Sequence, residues 1–173
     1  MNLIYIGKMS LEIERKFLVN GNDYVKAAYD RYGIVQGYIA HQNGNTVRIR
    51  ITDTDAILTI KGPSDEKGMS RYEWNHKIDV EDAKELLALC GSGLIEKTRY
   101  LVHSGPHVFE VDEFHGDNEG LVVAEVELQS ETEPFERPEF IGQEVTGDRR
   151  YYNSHLIRHP YRLWQDGDSE PAV

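Results

Sequence analysis

The stretch SLEIERKFLV, Ser10 to Val19, alternates with a period of two. In a β-strand successive side chains point to opposite faces. Glu12, Glu14 and Lys16 therefore share one face, and Ile13, Arg15, Phe17 and Val19 the other, with Arg15 the exception on an apolar side. The pattern recurs along the chain. Arg48 and Arg50 alternate with Val47, Ile49 and Ile51. Lys61 is in phase with Thr59, and Arg71, Glu73 and Lys77 oppose Tyr72, Trp74 and Ile78. Lys97 and Arg99, then Glu110 and Asp112, then Glu125 and Glu127 complete the series. A sheet with one wet face also alternates. Here, however, charges of one sign are grouped within strands, and like charges set close on a sheet cost energy. That grouping predicts that something between the strands neutralises them.

Eight such strands are predicted: residues 10–19, 34–40, 46–52, 56–62, 70–78, 96–103, 107–114 and 121–130. Most are joined by short turns, among them DTD and SGP. Eight antiparallel strands suffice to close a barrel and remove its edges. A helix is expected over residues 22–31, closed by Gly33. A second is expected over DVEDAKELLALCGSG, capped by Asp79, with Val80, Ala83, Leu86, Leu87 and Cys90 as its apolar stripe. The segment FIGQEVTGDRRYYNSHLIRHP is expected to be partly helical and to pack back on the sheet. If helices cover the apolar faces, the charged faces line the inside. The expected fold is thus mainly β: an eight-stranded antiparallel closed barrel with a charged interior, flanked by helices.

The chain has 173 residues, 39% hydrophobic and 28% charged, which fits one domain with its own core. No apolar run approaches the roughly 20 residues of a membrane helix. Residues 1–9 are read as a leader without signal-peptide character, with Met1 and Met9 both usable as starts, 10–160 as the domain and 161–173 as a tail. The single cysteine, Cys90, forms no intrachain disulfide and reads as a buried thiol, in keeping with a cytoplasmic setting. The net charge of −11 repels nucleic acid and anionic membranes. A polyanion can bind such a chain only in a local basic pocket.

A charged interior is costly unless each charge is paired or holds a ligand. The basic set is Lys16, Arg48, Arg50, Lys61, Lys97 and Arg99. The acidic set is Glu12, Glu14, Glu73, Asp112, Glu125 and Glu127. Arginine forks match phosphate oxygens, and carboxylates suit hard cations such as Mg²⁺ or Mn²⁺. A metal-bound polyphosphate needs both walls. The seven histidines lie outside the ladder and show no metal spacing, so no zinc is expected. Tyr151 and Tyr152 read as packing, and there is no P-loop motif.

EIERKF has the ExExK form, and VRIR, TIKG, RYEW, EKTRY, FEVDEF, LVVAEVELQSE and GQEVTGDRRYYNSHL follow in order. In these motifs the chain resembles the CYTH superfamily, the triphosphate tunnel metalloenzymes, over residues 10–160. The resemblance implies a barrel that binds triphosphate inside and uses divalent metal. It implies Glu12 and Glu14 as metal ligands or metal-orienting carboxylates, and Glu125 and Glu127 as a second metal pair. Lys16, Arg48, Arg50, Lys61, Lys97 and Arg99 would cradle the triphosphate, with Glu73 and Asp112 at inner acidic positions. The expected reaction is hydrolysis of a terminal phosphoanhydride, first of all in inorganic tripolyphosphate. Class IV adenylate cyclase, thiamine triphosphatase and a non-catalytic polyphosphate- or nucleotide-binding module are the alternatives. The expected partner is a small-molecule triphosphate, not nucleic acid or a membrane, and apolar outer faces leave room for a homodimer.

Overall fold

A computed structural model describes residues 10–91 and 93–166. Residues 1–9, the expected leader, lie outside it. Eight strands close a ring: β1 (Ser10–Val19), β2 (Asp30–Gln42), β3 (Asn45–Thr52), β4 (Ala56–Lys61), β5 (Ser70–Ile78), β6 (Ile95–Ser104), β7 (His107–Phe114) and β8 (Val122–Glu127). Their order is β5-β4-β3-β2-β6-β7-β8-β1, and β1 returns to β5. Every pairing is antiparallel, as hairpin connections require. The β2–β3 turn is Asn43-Gly44, with φ of +52° and +78°. Both residues are of the types that tolerate the left-handed region such a two-residue turn demands.

A ninth strand, β9 (Ile141–Glu144), is not among those expected; it opens the segment expected to be partly helical, whose helical turns come later, at Arg149–Tyr151 and Asn153–Leu156. It pairs Phe17 with Glu144 and Val19 with Ile141, while Ser10–Ile13 of β1 pair with β5. β9 thus completes the half of β1 that β5 leaves. The helix expected over residues 22–31 is only α1 (Tyr24–Ala27). The chain is already extended at Asp30, and Gly33 lies inside β2. Four helical residues have little stability of their own, and pairing with β6 from Asp30 onward claims the rest. The second helix forms as expected. α2 (Val80–Ala88) is capped by the Asp79 side chain, which accepts from the Glu81 amide. α2 lies against β2, β3 and β4. A Cβ on Gly37 would meet Cys90 Sγ at 2.8 Å, so glycine there lets the end of this helical segment sit tightly on β2. Burial pushes the Cys90 thiol up, keeping it protonated.

The apolar layer lies outside the barrel. Phe17, Phe109, Val111, Ala124 and Val126 are fully buried beneath α1 and the segment carrying Phe135 and Phe140. Ile49 and Ala56 are buried under Ala83 and Leu87 of α2. A third cluster behaves differently. Ile95, Phe114 and Val123 are in phase with the charged residues of β6, β7 and β8, so they point inward. They pack with Leu121 and with Leu156 of α3 (Asn153–Leu156). The barrel is charged along most of its length and stoppered at one end by an apolar plug. Tyr161 and Trp164, from the expected tail, pack on that plug. No helix among the described residues is long and apolar enough to cross a membrane.

Candidate active site

The inner faces enclose a cavity of about 330 Å³. Glu12, Glu14 and Lys16 reach it from β1, Arg48 and Arg50 from β3, and Lys61 from β4. Glu73 comes from β5, Arg99 from β6, and Glu125 and Glu127 from β8. Two expected residues do not line it. Lys97 and Asp112 are buried one step deeper, with side chains 0% and 3% exposed. The Lys97 ammonium lies 5.3 Å from the centre of the Phe114 ring, on the plug, and donates to Asp112 and to Asn153 Oδ1. The plug explains the difference: strand phase puts Lys97 and Asp112 inside, but says nothing of how far down the barrel is filled.

The cavity walls are an ordered ion network. Lys61 donates to both oxygens of Glu12, at 2.9 and 3.1 Å, and pairs with Glu73. Arg71 donates from Nε to Glu12 at 2.9 Å and from Nη2 to Glu14 at 3.2 Å. Lys16 meets Glu125 Oε1 at 2.9 Å. Arg99 grips Asp112 with two bonds of 2.6 and 2.7 Å and also meets Glu110. Arg71 and Glu110 were on the charged face of their strands but outside the expected site. The in-phase register that selected Glu73 also selects Arg71, and its two carboxylate partners are what make it central.

The pairing sets each charge. Burial alone would raise the Glu12 carboxyl, but Lys61 and Arg71 override it and hold it far below the usual range. Burial likewise opposes ionisation of Glu125, and Lys16 and Arg99 outweigh it. Burial works against the Lys16 ammonium, yet Glu125 and Glu14 keep it charged. Burial raises Glu14 instead, helped by the neighbouring Glu125 and Glu12 and opposed by Arg71. Glu127 is pushed up to about 7 by burial and by Glu12, Glu110, Glu73 and Glu14.

Two groups of charge lack a counterpart. Arg48 bonds Thr59 Oγ1 at 3.1 Å, and its Nε is buried with no partner. Arg50 bonds Gln36 Oε1 at 3.2 Å. Among the described residues neither arginine donates to a carboxylate. Burial, reinforced by Arg48 and Arg99, lowers Arg50 to about 10. On the acidic side, Glu127 accepts from no lysine or arginine among the described residues. Tyr152, expected to be packing, also lines the cavity, with the Lys16 ammonium 5.3 Å from its ring centre. Tyr151 does pack, edge-on against Trp164 at 5.1 Å. Arg150, from the same segment, is occupied by Asp148 at 2.6 Å.

Among the described residues no three carboxylates, histidines or cysteines converge as they stand on one ion position. Glu12, Glu14 and Glu125 are each turned onto a cation. The donor chemistry nevertheless fits a hard divalent ion, because oxygen ligands crowd one wall and Glu14 and Glu127 are both raised by burial and, after it, by neighbouring carboxylates.

Comparison with known proteins adds the following. The CYTH domain profile matches residues 10–154. The chain is 44% identical over 161 residues to the inorganic triphosphatase of Acetivibrio thermocellus, covering 91% of this chain and 100% of that protein. It is 36% identical over 152 residues to the inorganic triphosphatase of Nitrosomonas europaea, covering 84% and 95% respectively. A crystal structure of an inorganic triphosphatase superposes with a TM-score of 0.58 at 31% identity, covering 85% of this chain and 97% of the other.

Proposed function

The chain belongs to the CYTH domain family, and from that premise we propose that it hydrolyses inorganic tripolyphosphate to pyrophosphate and orthophosphate. The observation that carries this is the double mismatch of charge. Among the described residues Arg48 is a buried and Arg50 a half-buried guanidinium without a carboxylate, and Glu127 is a carboxylate without a cation. An anion at the first and a divalent cation at the second would complete the cavity together. A metal-bound triphosphate brings both.

Phosphoryl transfer asks for positioning and for neutralisation of spreading charge. Arg48 and Arg50 take oxygens of the transferring phosphoryl group in bidentate fashion. Lys16, Lys61 and Arg99 already hold carboxylates, so they keep fixed positions and contribute the remaining positive field. Lys97 and Asp112 act from behind: Asp112 fixes the Arg99 fork, and Lys97 fixes Asp112. Glu12, Glu14, Glu125 and Glu127 would hold Mg²⁺ or Mn²⁺, which supplies Lewis acidity toward phosphate oxygens and the attacking water. The apolar plug closes one end and limits bulk water there.

The test offers tripolyphosphate, ATP and thiamine triphosphate in parallel with Mg²⁺ or Mn²⁺ and separates the products. Orthophosphate and pyrophosphate from tripolyphosphate are expected. Cyclic AMP and pyrophosphate from ATP, without orthophosphate from tripolyphosphate, would make the cyclase reading the right one. Tight binding without turnover would make the chain a binding module.

A further inference from the structure

A second, smaller cavity of about 90 Å³ lies between β2 and the α3 segment. Its lining includes Tyr38, Ile39, His41, Ser154, Ile157 and Arg158. Tyr38 and Ser154 also line the main cavity, so the two spaces share a wall. A β-bulge builds this place. The β2–β3 register shifts between Tyr38 and Ala40, leaving Ile39 without a Cα partner on β3. Beyond the shift His41 is opposite Thr46, which lines the main cavity. Directly opposed residues share a face, so the bulge turns His41 to the inner side together with Tyr38. An uninterrupted alternation would have turned Ala40 there.

Tyr38, His41, Ser154 and Arg158 bring donor groups suited to an anion to one cavity. Arg158 pairs with no carboxylate among the described residues. The Tyr38 hydroxyl accepts from Gln36 Nε2 at 3.3 Å, which leaves its own proton to donate. Gln36 in turn accepts from Arg50, so a hydrogen-bonded path runs from the main cradle to the shared wall. The surrounding sequence is the basic part of an acidic chain. Residues 149–162 carry four arginines, Arg149, Arg150, Arg158 and Arg162, and no Asp or Glu, against a net charge of −11 for the whole. A volume of about 90 Å³ admits one phosphoryl group.

We propose that this second cavity is a subsite for one further phosphate group, the distal phosphate of a linear polyphosphate of four or more units whose other end lies against Arg48 and Arg50. The assignment rests on the triphosphatase reading. Free orthophosphate would satisfy the same donors.

The test compares tripolyphosphate with linear tetrapolyphosphate as substrates for the wild-type chain, Arg158→Ala and His41→Ala. Both positions are exposed, and circular dichroism checks that the variants fold. Loss of a charge-assisted contact lowers kcat/KM for the four-phosphate chain about tenfold, with the three-phosphate chain within twofold. If Arg158→Ala instead relieves inhibition by added orthophosphate and leaves the ratio of the two chains unchanged, the subsite serves free phosphate. Equal losses on both chains, or no change in chain ratio and in orthophosphate inhibition, overturn the proposal. If the wild type does not hydrolyse tripolyphosphate, the hydrolase reading has failed. The subsite is then judged from the calorimetric affinities of the two chains for wild type and Arg158→Ala, where a selective loss for the longer chain sustains it and parallel affinities overturn it.

Discussion

Glu14 of β1 and Glu127 of β8 are directly opposite in the antiparallel register, and among the described residues only Glu14 of the two has a cation on it. Directly opposed like charges are destabilising by roughly 0.2–1 kcal/mol. The pair is a cost to the metal-free fold and an attraction for a divalent ion. Glu127→Gln should leave the metal-free protein as stable or slightly more stable. It should remove most of the stabilisation that Mg²⁺ or Mn²⁺ gives the wild type. Glu119→Gln, in an exposed turn, is the control. Thermal melts with and without metal decide it, and equal metal responses of the two variants would count against the acidic wall as a metal site.

Arg48 and Arg50 make the complementary prediction. Two guanidiniums, one buried and one half-buried, without a carboxylate among the described residues should be relieved by any tetrahedral anion that reaches them. Tripolyphosphate without metal should raise the Tm, by an amount that grows as RT ln(1 + [L]/Kd). Arg50→Ala should abolish most of that rise while costing the unliganded protein little, because no counter-charge is left unpaired. Arg71→Ala should do the reverse. It strips the cation from Glu14 and one of the two from Glu12, which keeps Lys61, and should destabilise the metal-free protein by about 3–5 kcal/mol. Denaturant titration of the two variants separates these outcomes.

The barrel was legible because period-two alternation states which residues share a face, and Glu12, Glu14 and Lys16 share one in fact. Two things were not legible. Depth along the barrel was one: Lys97 and Glu125 look alike in sequence, but Lys97 rests on Phe114 and Glu125 lines the cavity. The plug contributor Leu156 lies about sixty residues from Lys97 in sequence, at position 156 against 97, and no local pattern links them. Partner choice was the other. Arg71 has the same phase as Glu73, but its bonds to Glu12 and Glu14 depend on ring closure between β5 and β1, which is a property of topology. The ninth strand was hidden for the same reason. IGQE is too short to show a period, and it is extended because β1 has a free edge there.

Arg15 breaks the apolar side of β1, and the structure gives the reason. Its guanidinium forms a two-pronged bond to Glu144 on β9 and lies 5.1 Å from the Phe135 ring centre. The hydrogen bond from Arg15 holds the Glu144 carboxyl below its usual value. A carboxyl depressed in the folded state adds stability above its unfolded pKa, and that stability is lost as pH falls through the folded value. The side chains are 24% and 31% exposed, so the pair is worth about 1 kcal/mol or less. A double-mutant cycle with Arg15→Met and Glu144→Gln should give a favourable coupling at pH 7 that fades as pH falls below the usual carboxylate range. A coupling equally large at pH 3 would mean that packing on Phe135, not charge, holds Arg15.

Leu156 of α3 is completely buried in the plug, packed with the inward-facing Ile95, Phe114 and Val123. Its neighbour Asn153 accepts from Lys97, which holds Asp112, which grips Arg99 in the cavity wall. Packing of the plug and orientation of the cradle are therefore coupled. Leu156→Ala should cost about 2–5 kcal/mol of stability, the usual range for a truncated core leucine. It should also lower kcat through Arg99 at temperatures where the variant is still fully folded. Leu156→Met, which keeps the volume, should cost less than about 1.5 kcal/mol and restore kcat. If both variants kept wild-type kcat well below their Tm, the plug would be a stopper only, with no influence on the arginine above it.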